Sequence, residues 1–161
     1  MGVDVILEDP RWADAGLAVL ADRAVAATLA HLGLAADAWE VTVLGCDDAR
    51  MATLNATFRG KARATNVLSW PSVERAADHP GQVPRLPSGD PELGDIALGF
   101  ETCQREAAEQ GKPSDKHNLH LIVHGVLHLL GYDHEDQMDG DLMESREIAI
   151  LADLGVPNPY K

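Results

Sequence analysis

Histidines recur at helical spacing in HNLHLIVHGVLHLL, residues 117–130. Steps of three and four residues return to one face of an α-helix. That face carries His117, His120, His124 and His128. The other positions are mostly apolar, so the helix is predicted to be buried. A buried imidazole without a polar partner costs about 1–3 kcal/mol, whereas imidazole nitrogen is a common zinc ligand. The stripe therefore predicts a metal site rather than ordinary packing.

Helix geometry limits which of these histidines can share one ion. His120 and His128 are eight residues apart, which is about 12 Å along a helix and too far. His124 and His128, four residues apart, have the spacing of a helical zinc site. His134 supplies a third nitrogen if Gly131 takes the left-handed conformation and turns the chain back. We therefore predict that His124, His128 and His134 hold one Zn²⁺ ion, on a buried helix and the turn that follows it.

Three neutral imidazoles would leave a fourth coordination position open, as in catalytic zinc sites. Such an ion attracts anions and lowers the pKa of its bound water to about 7, which suits hydrolysis. The segment HGVLHLLGYDH, residues 124–134, is similar to the zinc-protease pattern HExxHxxGxxH. Gly125, however, stands where the protease has its general-base glutamate. A peptidase would therefore have to draw its base from another segment.

Other polar residues near the trio have two interpretations. Asp133, Glu135 and Asp136 follow the last turn of the helix and are candidates for a base or for orienting an imidazole N–H. The same acidic run also suits a solvated helix start, where negative charge is favourable. His117 and His120 are expected to form hydrogen bonds or to line the approach to the ion.

Four strands and about five helices are predicted to position this site, from alternating and helical apolar patterns. The strands are predicted at residues 3–8, 39–46, 65–71 and 93–100. The helices are predicted at residues 12–32, 49–58, 101–112, 114–130 and 137–154, the last with Leu142, Ile148, Leu151 and Leu154 on its inner face. This order favours an α+β fold with a small mixed four-stranded sheet.

The length and composition indicate one domain, residues 1–161, since 161 residues with 45% hydrophobic content support a single core. Residues 71–92 contain five of the nine prolines and are predicted to be a mobile loop without regular structure. The opening MGVDVILEDP lacks the pattern of a signal peptide. We expect a soluble, cytoplasmic protein with no membrane partner. Cys46 and Cys103 form no CxxC pair, which argues against a disulfide framework or a cysteine zinc site.

The net charge of −13 argues against nucleic-acid binding driven by the charge of the whole protein. The charges are unevenly distributed, however. Arg59, Lys61 and Arg63 form a short basic patch without acidic residues, whereas acidic residues crowd positions 133–147. A local site for a polyanion is therefore compatible with an acidic protein.

Three segments resemble the YbeY family of bacterial rRNA maturation endoribonucleases. They are LNATFRGKARATNVLSWP, LGDIALGF and HGVLHLLGYDH, in this order, followed by an acidic helix that ends near NPY. The resemblance implies a zinc-dependent, single-strand-specific endoribonuclease that acts in 16S rRNA 3′-end maturation and ribosome quality control. It implies RNA, the ribosome or its small subunit, and ribosome-assembly proteins as partners.

The resemblance also assigns roles to residues. It implies that His124, His128 and His134 are the zinc ligands and that Arg59 is the catalytic basic residue. The chain departs from the family at Ala62 and Ala64, where aspartate and proline are common, and its proline-rich stretch is longer than usual for the family.

The expected mechanism combines the zinc ion with the guanidinium group of an arginine. A guanidinium can pair with two phosphate oxygens as charge grows on them, which suits Arg59, while zinc polarises a phosphate oxygen or activates water. The residues favour neither water nor the RNA 2′-hydroxyl as nucleophile. Two alternatives remain: a zinc metallopeptidase-like hydrolase, and a non-catalytic ribosome-associated metal-binding module.

Overall fold

Four strands form one mixed sheet in the computed structural model, which describes residues 2–60 and 63–160. They are β1 (Gly2–Leu7), β2 (Glu40–Cys46), β3 (Val67–Pro71) and β4 (Glu92–Gly99). The order across the sheet is β1-β2-β4-β3; β1, β2 and β4 run parallel, and β3 is antiparallel to β4. β3 is therefore an edge strand. All four predicted strands are confirmed, with small shifts at their ends.

The described residues contain six α-helices and one short 3₁₀ turn at Ala36–Ala38. The helices are α1 (Arg11–Asp14), α2 (Leu17–His31), α3 (Asp48–Arg59), α4 (Phe100–Glu109), α5 (Ser114–Leu129) and α6 (Gln137–Asp153). The sixth helix arises because the predicted first helix is interrupted at Gly16, whose φ of 72° lies in the left-handed region. Within the described residues, no helix is both long and apolar enough to cross a membrane.

The core lies on both faces of the sheet. Strand alternation sends Ile96 and Leu98 of β4 into the main apolar cluster, which includes residues of α2, α5 and α6. Ala97, between them, faces a smaller cluster with Met51 of α3. The helix α5 packs against α2, α4, α6, β3 and β4, which explains why it is apolar almost all round. These elements form a single α+β domain, as predicted.

The buried face of α6 differs from the prediction. Leu151 is buried as predicted, but the other buried residues of α6 are Met143, Glu147 and Ile150, and Leu142, Ile148 and Leu154 are only partly buried. Apolar residues lie on more than one side of α6, so their spacing alone does not decide which side is buried. The predicted side is next to the side that the structure buries. The observed face places a carboxylate, that of Glu147, inside the protein.

Residues 72–91 contain no helix or strand, as their proline content predicts. The segment is nevertheless in contact with the histidine helix and with α6. The Arg75 guanidinium donates to the carbonyl oxygens of Leu129, at 2.8 Å, and Leu93, at 3.2 Å. The Gly81 N–H donates to Asp139 Oδ1 at 2.8 Å. The mobility of this loop stays a prediction.

Candidate metal centre and cleft

His124, His128 and His134 converge in the structure. One ring nitrogen from each lies within 4.8 Å of the other two, and His124 Nε2 and His128 Nε2 are 3.0 Å apart. Zinc–nitrogen bonds of about 2.05 Å in a tetrahedral site separate two nitrogens by about 3.3 Å. The two helical imidazoles therefore stand near ligand spacing, and the three together are able to hold one metal ion. Their binding of an ion stays a prediction.

The bend that brings His134 to the helical pair is built on Gly131. Its φ is +100°, in the left-handed region. The Gly131 N–H donates to the His128 carbonyl at 3.1 Å, and the Tyr132 N–H donates to the Leu127 carbonyl at 3.0 Å. This pair of bonds is the Schellman motif, which ends a helix with a sharp turn. The predicted conformation of Gly131 is confirmed.

A buried carboxylate orients the first histidine. Glu147 of α6 is 1% exposed, and its Oε1 lies 2.9 Å from His124 Nδ1. With Nδ1–H donated to the carboxylate, Nε2 of His124 is left as the nitrogen that faces the trio. The other oxygen, Oε2, lies 2.7 Å from His120 Nε2 and accepts a hydrogen bond from the Tyr160 hydroxyl at 2.7 Å.

The sequence patterns do not single out Glu147 or Tyr160 as residues of the site. The acidic stretch 133–147 predicts solvated residues or candidate bases rather than a buried carboxylate. The available signal was the spacing Met143, Glu147, Ile150 and Leu151, which puts a carboxylate at an apolar position of a helix face.

Burial and hydrogen bonding shift the pKa values of His128 and Glu147 at this site. Burial lowers the pKa of His128 to about 4, and the neighbouring His124 and His134 act in the same direction. Burial alone would raise the pKa of Glu147, but hydrogen bonds from His120, His124 and Tyr160 lower it to about 2. At neutral pH His128 is therefore uncharged, and the carboxylate of Glu147 is anionic. Neutral imidazole is the form that binds metal ions.

The trio lies in a cleft of about 830 Å³ between β3 and α5. Arg59, Arg63 and Arg105 also line this cleft. Arg59, at the end of α3, donates from Nη2 to the carbonyl of Ser69 on the edge strand at 3.0 Å. The third member of the predicted basic patch, Lys61, lies outside the described residues. The structure thus brings guanidinium groups and the candidate metal ligands into one cavity.

The position of Gly125 explains the missing glutamate. A Cβ atom at residue 125 would lie 3.1–3.3 Å from three side-chain atoms of Ile96 on β4. That separation is tighter than ordinary van der Waals contact, so a side chain there meets the sheet. The glycine lets α5 pack closely against β4, and a glutamate would have to displace this packing.

The remaining predicted polar residues have definite contacts. His117 Nε2 lies 3.0 Å from Glu106 Oε1, and His120 contacts Glu147, so both form hydrogen bonds as expected. Three acidic candidates differ in position: Asp133 and Glu135 line the cleft, whereas Asp136 is the N-cap of α6. Asp133 Oδ1 also accepts from the His134 backbone N–H at 2.7 Å.

Comparison with known proteins yields consistent matches over the whole chain. The sequence model of the family described as Endoribonuclease YbeY matches residues 8–155. A protein named Endoribonuclease YbeY from Cereibacter sphaeroides is 60% identical, over 98% of each chain. The protein of that name from Jannaschia sp. is 55% identical, over 99% of this chain and 100% of its own length. Its counterpart from Paracoccus denitrificans is 56% identical, over 98% of this chain and 89% of its own.

A solved structure has a similar fold. The solution structure of TM1509 from Thermotoga maritima aligns with a TM-score of 0.57 and 21% identity, over 95% of this chain and 91% of that chain. At this level of identity the likeness concerns the fold alone.

Proposed function

Because the chain belongs to the YbeY endoribonuclease family, we propose that it is a zinc-dependent endoribonuclease that cleaves single-stranded RNA in the cytoplasm. Its proposed roles are 16S rRNA 3′-end maturation and ribosome quality control. The observation that carries this proposal is the presence of the histidine trio and Arg59 in one cleft. Family membership agrees with the sequence resemblance described above.

The donor set fits zinc. Three imidazoles, one of them held by a buried carboxylate, match the ligands of hydrolytic zinc sites with an open position. We propose His124, His128 and His134 as the ligands. When bound there, zinc would supply a Lewis acid for a phosphate oxygen and lower the pKa of a water to about 7.

Arg59 is the proposed catalytic residue. A guanidinium carries five N–H donors, so the single bond to the Ser69 carbonyl leaves others for phosphate oxygens. That bond also fixes the guanidinium at the edge of the sheet, beside the cleft. Preorganised cationic donors stabilise the charge that develops on a phosphoryl group during attack.

The proposed substrate meets few cations among the described residues. Three of the described arginines line the cleft on a chain of net charge −13, and each phosphate contact to a single strand contributes about −0.7 to the slope of log affinity against log salt. We therefore expect a slope no steeper than about −2. Such weak intrinsic binding supports the proposal that the ribosomal small subunit and its assembly proteins present the RNA. Equal cleavage of naked and ribosomal RNA would contradict this part.

One assay tests the activity. Zinc-loaded protein is incubated with a structured RNA that bears a single-stranded 3′ tail and, in parallel, with an unfolded protein. We expect cleavage in the tail, lost in Arg59→Ala and in His124→Ala, with the peptide chain intact. RNA cleavage by a contaminating nuclease would persist in both variants. Peptide cleavage would instead support a metallopeptidase, and inertness toward both substrates would support a non-catalytic module.

Metal identity needs its own measurement. Protein purified without a histidine tag or nickel column is analysed for bound metals. About one equivalent of zinc per chain, lost in His134→Ala, is the expected result. A different metal at that stoichiometry would refute the zinc assignment.

A further inference from the structure

Tyr160 closes a hydrogen-bonded network behind the histidine trio. Its hydroxyl donates to Glu147 Oε2 at 2.7 Å. The same oxygen lies 2.7 Å from His120 Nε2, while Oε1 lies 2.9 Å from His124 Nδ1. One carboxylate oxygen is thus held by two groups outside the trio, and the other is directed at a member of the trio.

Holding one oxygen fixes the other. A glutamate side chain has several rotatable bonds, and its carboxylate keeps one orientation only where both oxygens are restrained. Because Glu147 is 1% exposed, water competes little for these bonds. Lys112 Nζ donates to the Pro159 carbonyl at 3.3 Å, which attaches the C-terminal tail at a second point.

We propose that Tyr160 is a positioning residue that sets the metal affinity of the site through Glu147, with His120 supporting the same carboxylate oxygen. The C-terminal segment that carries Tyr160 then supports the candidate metal centre. This inference rests on the proposed metal-dependent function. It assigns no contact between Tyr160 and the ion.

The substitution Tyr160→Phe removes only the hydroxyl. Zn²⁺ affinity is measured by competition with a chromophoric chelator, and the free energy of unfolding of the metal-free protein is measured in parallel. We expect zinc affinity to fall about tenfold, as for other partners behind metal ligands. In a Glu147→Gln background, the same substitution is expected to change affinity by less than about twofold, because the anionic acceptor is gone.

Lys112→Met is the matched control, since it weakens the tail without touching the carboxylate. Its zinc affinity is expected to fall much less than that of Tyr160→Phe, because the Tyr160 hydroxyl is still present. Unchanged affinity in Tyr160→Phe would overturn the proposal, as would an equal loss in Lys112→Met, which would assign the effect to tail docking in general. If Tyr160→Phe lowers only the free energy of unfolding of the metal-free protein and not its zinc affinity, the tail has a purely structural role and the proposal is wrong. A wild-type chain that binds no Zn²⁺ would refute the proposed function itself.

A separate observation concerns an aromatic pair, one ring of it exposed, on residues that are next in sequence to residues lining the cleft. Phe58 is 61% exposed, and its ring lies against Trp70, with 5.4 Å between centroids and 65° between planes. Phe58 precedes Arg59 on α3, and Trp70 follows Ser69, whose carbonyl accepts the Arg59 bond. The aromatic pair is therefore adjacent in sequence to both residues of the Arg59–Ser69 hydrogen bond.

We infer that Phe58 stacks an unpaired base of single-stranded RNA while a neighbouring phosphate lies at Arg59. Proteins that bind single strands combine cationic groups for the backbone with aromatic rings for the bases, since every base has a π face. Arg59, Arg63 and Arg105 supply the cations in the adjoining cleft. This inference rests on the proposed RNA-cleaving function and adds a base-binding subsite to it.

Phe58→Ala is expected to weaken binding of a short single-stranded RNA about tenfold and to raise KM more than it lowers kcat. Phe58→Trp is expected to restore binding. An abasic nucleotide at the stacked position removes the same contact, so the two changes should not add. Val19→Ala, on an equally exposed apolar residue of α2, is the control and should match the wild type.

The outcomes separate the subsite from the activity. If the wild type cleaves RNA and Phe58→Ala binds and cleaves equally well, the stacking inference is wrong. It is also wrong if every abasic position is tolerated equally. A wild type without RNA cleavage would instead refute the proposed function.

Discussion

Replacement of Gly131 by alanine measures how much the bend after α5 contributes to the free energy of unfolding and to zinc affinity. A residue with a Cβ costs about 1–2 kcal/mol in the left-handed conformation, which Gly131 adopts at φ +100°. Its Cβ would also approach the Arg75 carbonyl oxygen far inside contact distance. The segment around Arg75 must therefore move.

That movement breaks a second interaction. The Arg75 guanidinium donates to the Leu129 carbonyl at 2.8 Å, and a hydrogen bond from a charged group is worth about 1.5–3 kcal/mol. Together the two effects predict a loss of about 2.5–5 kcal/mol in the free energy of unfolding. Because Gly131 lies between His128 and His134, zinc affinity should fall by about tenfold as well.

Gly33→Ala is the matched control. Gly33 ends α2 with the same pair of hydrogen bonds and has a φ of +76°, and a Cβ added there would meet no atom within 4 Å. Only the conformational cost of about 1–2 kcal/mol applies there. Urea denaturation of metal-free protein measures both variants. Equal losses in the two variants, with zinc affinity retained in Gly131→Ala, would refute the role assigned to the Arg75 contact.

Three further predictions concern α5 and the cleft. Gly125→Ala gains about 1 kcal/mol of helix propensity but overpacks Ile96 at a cost of about 1–3 kcal/mol. We therefore expect urea denaturation to show a small net loss of stability, and a smaller loss when Ile96 is also replaced by valine. The free energy of unfolding of the metal-free protein should fall by up to about 3 kcal/mol as the pH drops from 6.5 to 4. Burial lowers the pKa of His128 from 6.5 to about 4 in the folded protein, so the unfolded chain binds more protons in this pH range. A series of unfolding measurements in which His128→Gln keeps the full pH dependence would contradict this. Arg59→Lys keeps the charge but loses the planar fork, so single-turnover cleavage should slow by about tenfold or more while RNA binding changes little; unaltered cleavage would refute a guanidinium-specific role.

Local rules predicted much of the fold and of the candidate metal site. The four-residue spacing of His124 and His128 and the left-handed Gly131 depend on neighbours in sequence, and both follow correctly from the chain. The strands followed from alternation. The break at Gly16 was missed because one glycine inside a helical pattern is tolerated in many helices, whereas here it takes a φ of 72° and separates α1 from α2.

Glu147 was out of reach for a different reason. A charged residue is rarely buried without a partner, and its partners here, His120 and His124, lie 27 and 23 residues earlier on another helix. Apolar spacing on α6 admits two neighbouring faces that share Leu151, and the charge of Glu147 counts against the face that is buried. Only the packing of α6 against α5 decides that the carboxylate is inside.

The placement of Glu147 changes what the histidine pattern can do. In HExxH proteins the glutamate stands on the same helix as the ligands and serves as general base; in this chain that position is Gly125, which faces Ile96. The carboxylate that contacts the trio comes from α6, is bonded to His120, His124 and Tyr160, and has a pKa of about 2. Both oxygens of Glu147 are already engaged, Oε1 by His124 and Oε2 by His120 and Tyr160. This carboxylate is therefore placed to orient an imidazole from behind the trio, unlike the glutamate of HExxH proteins.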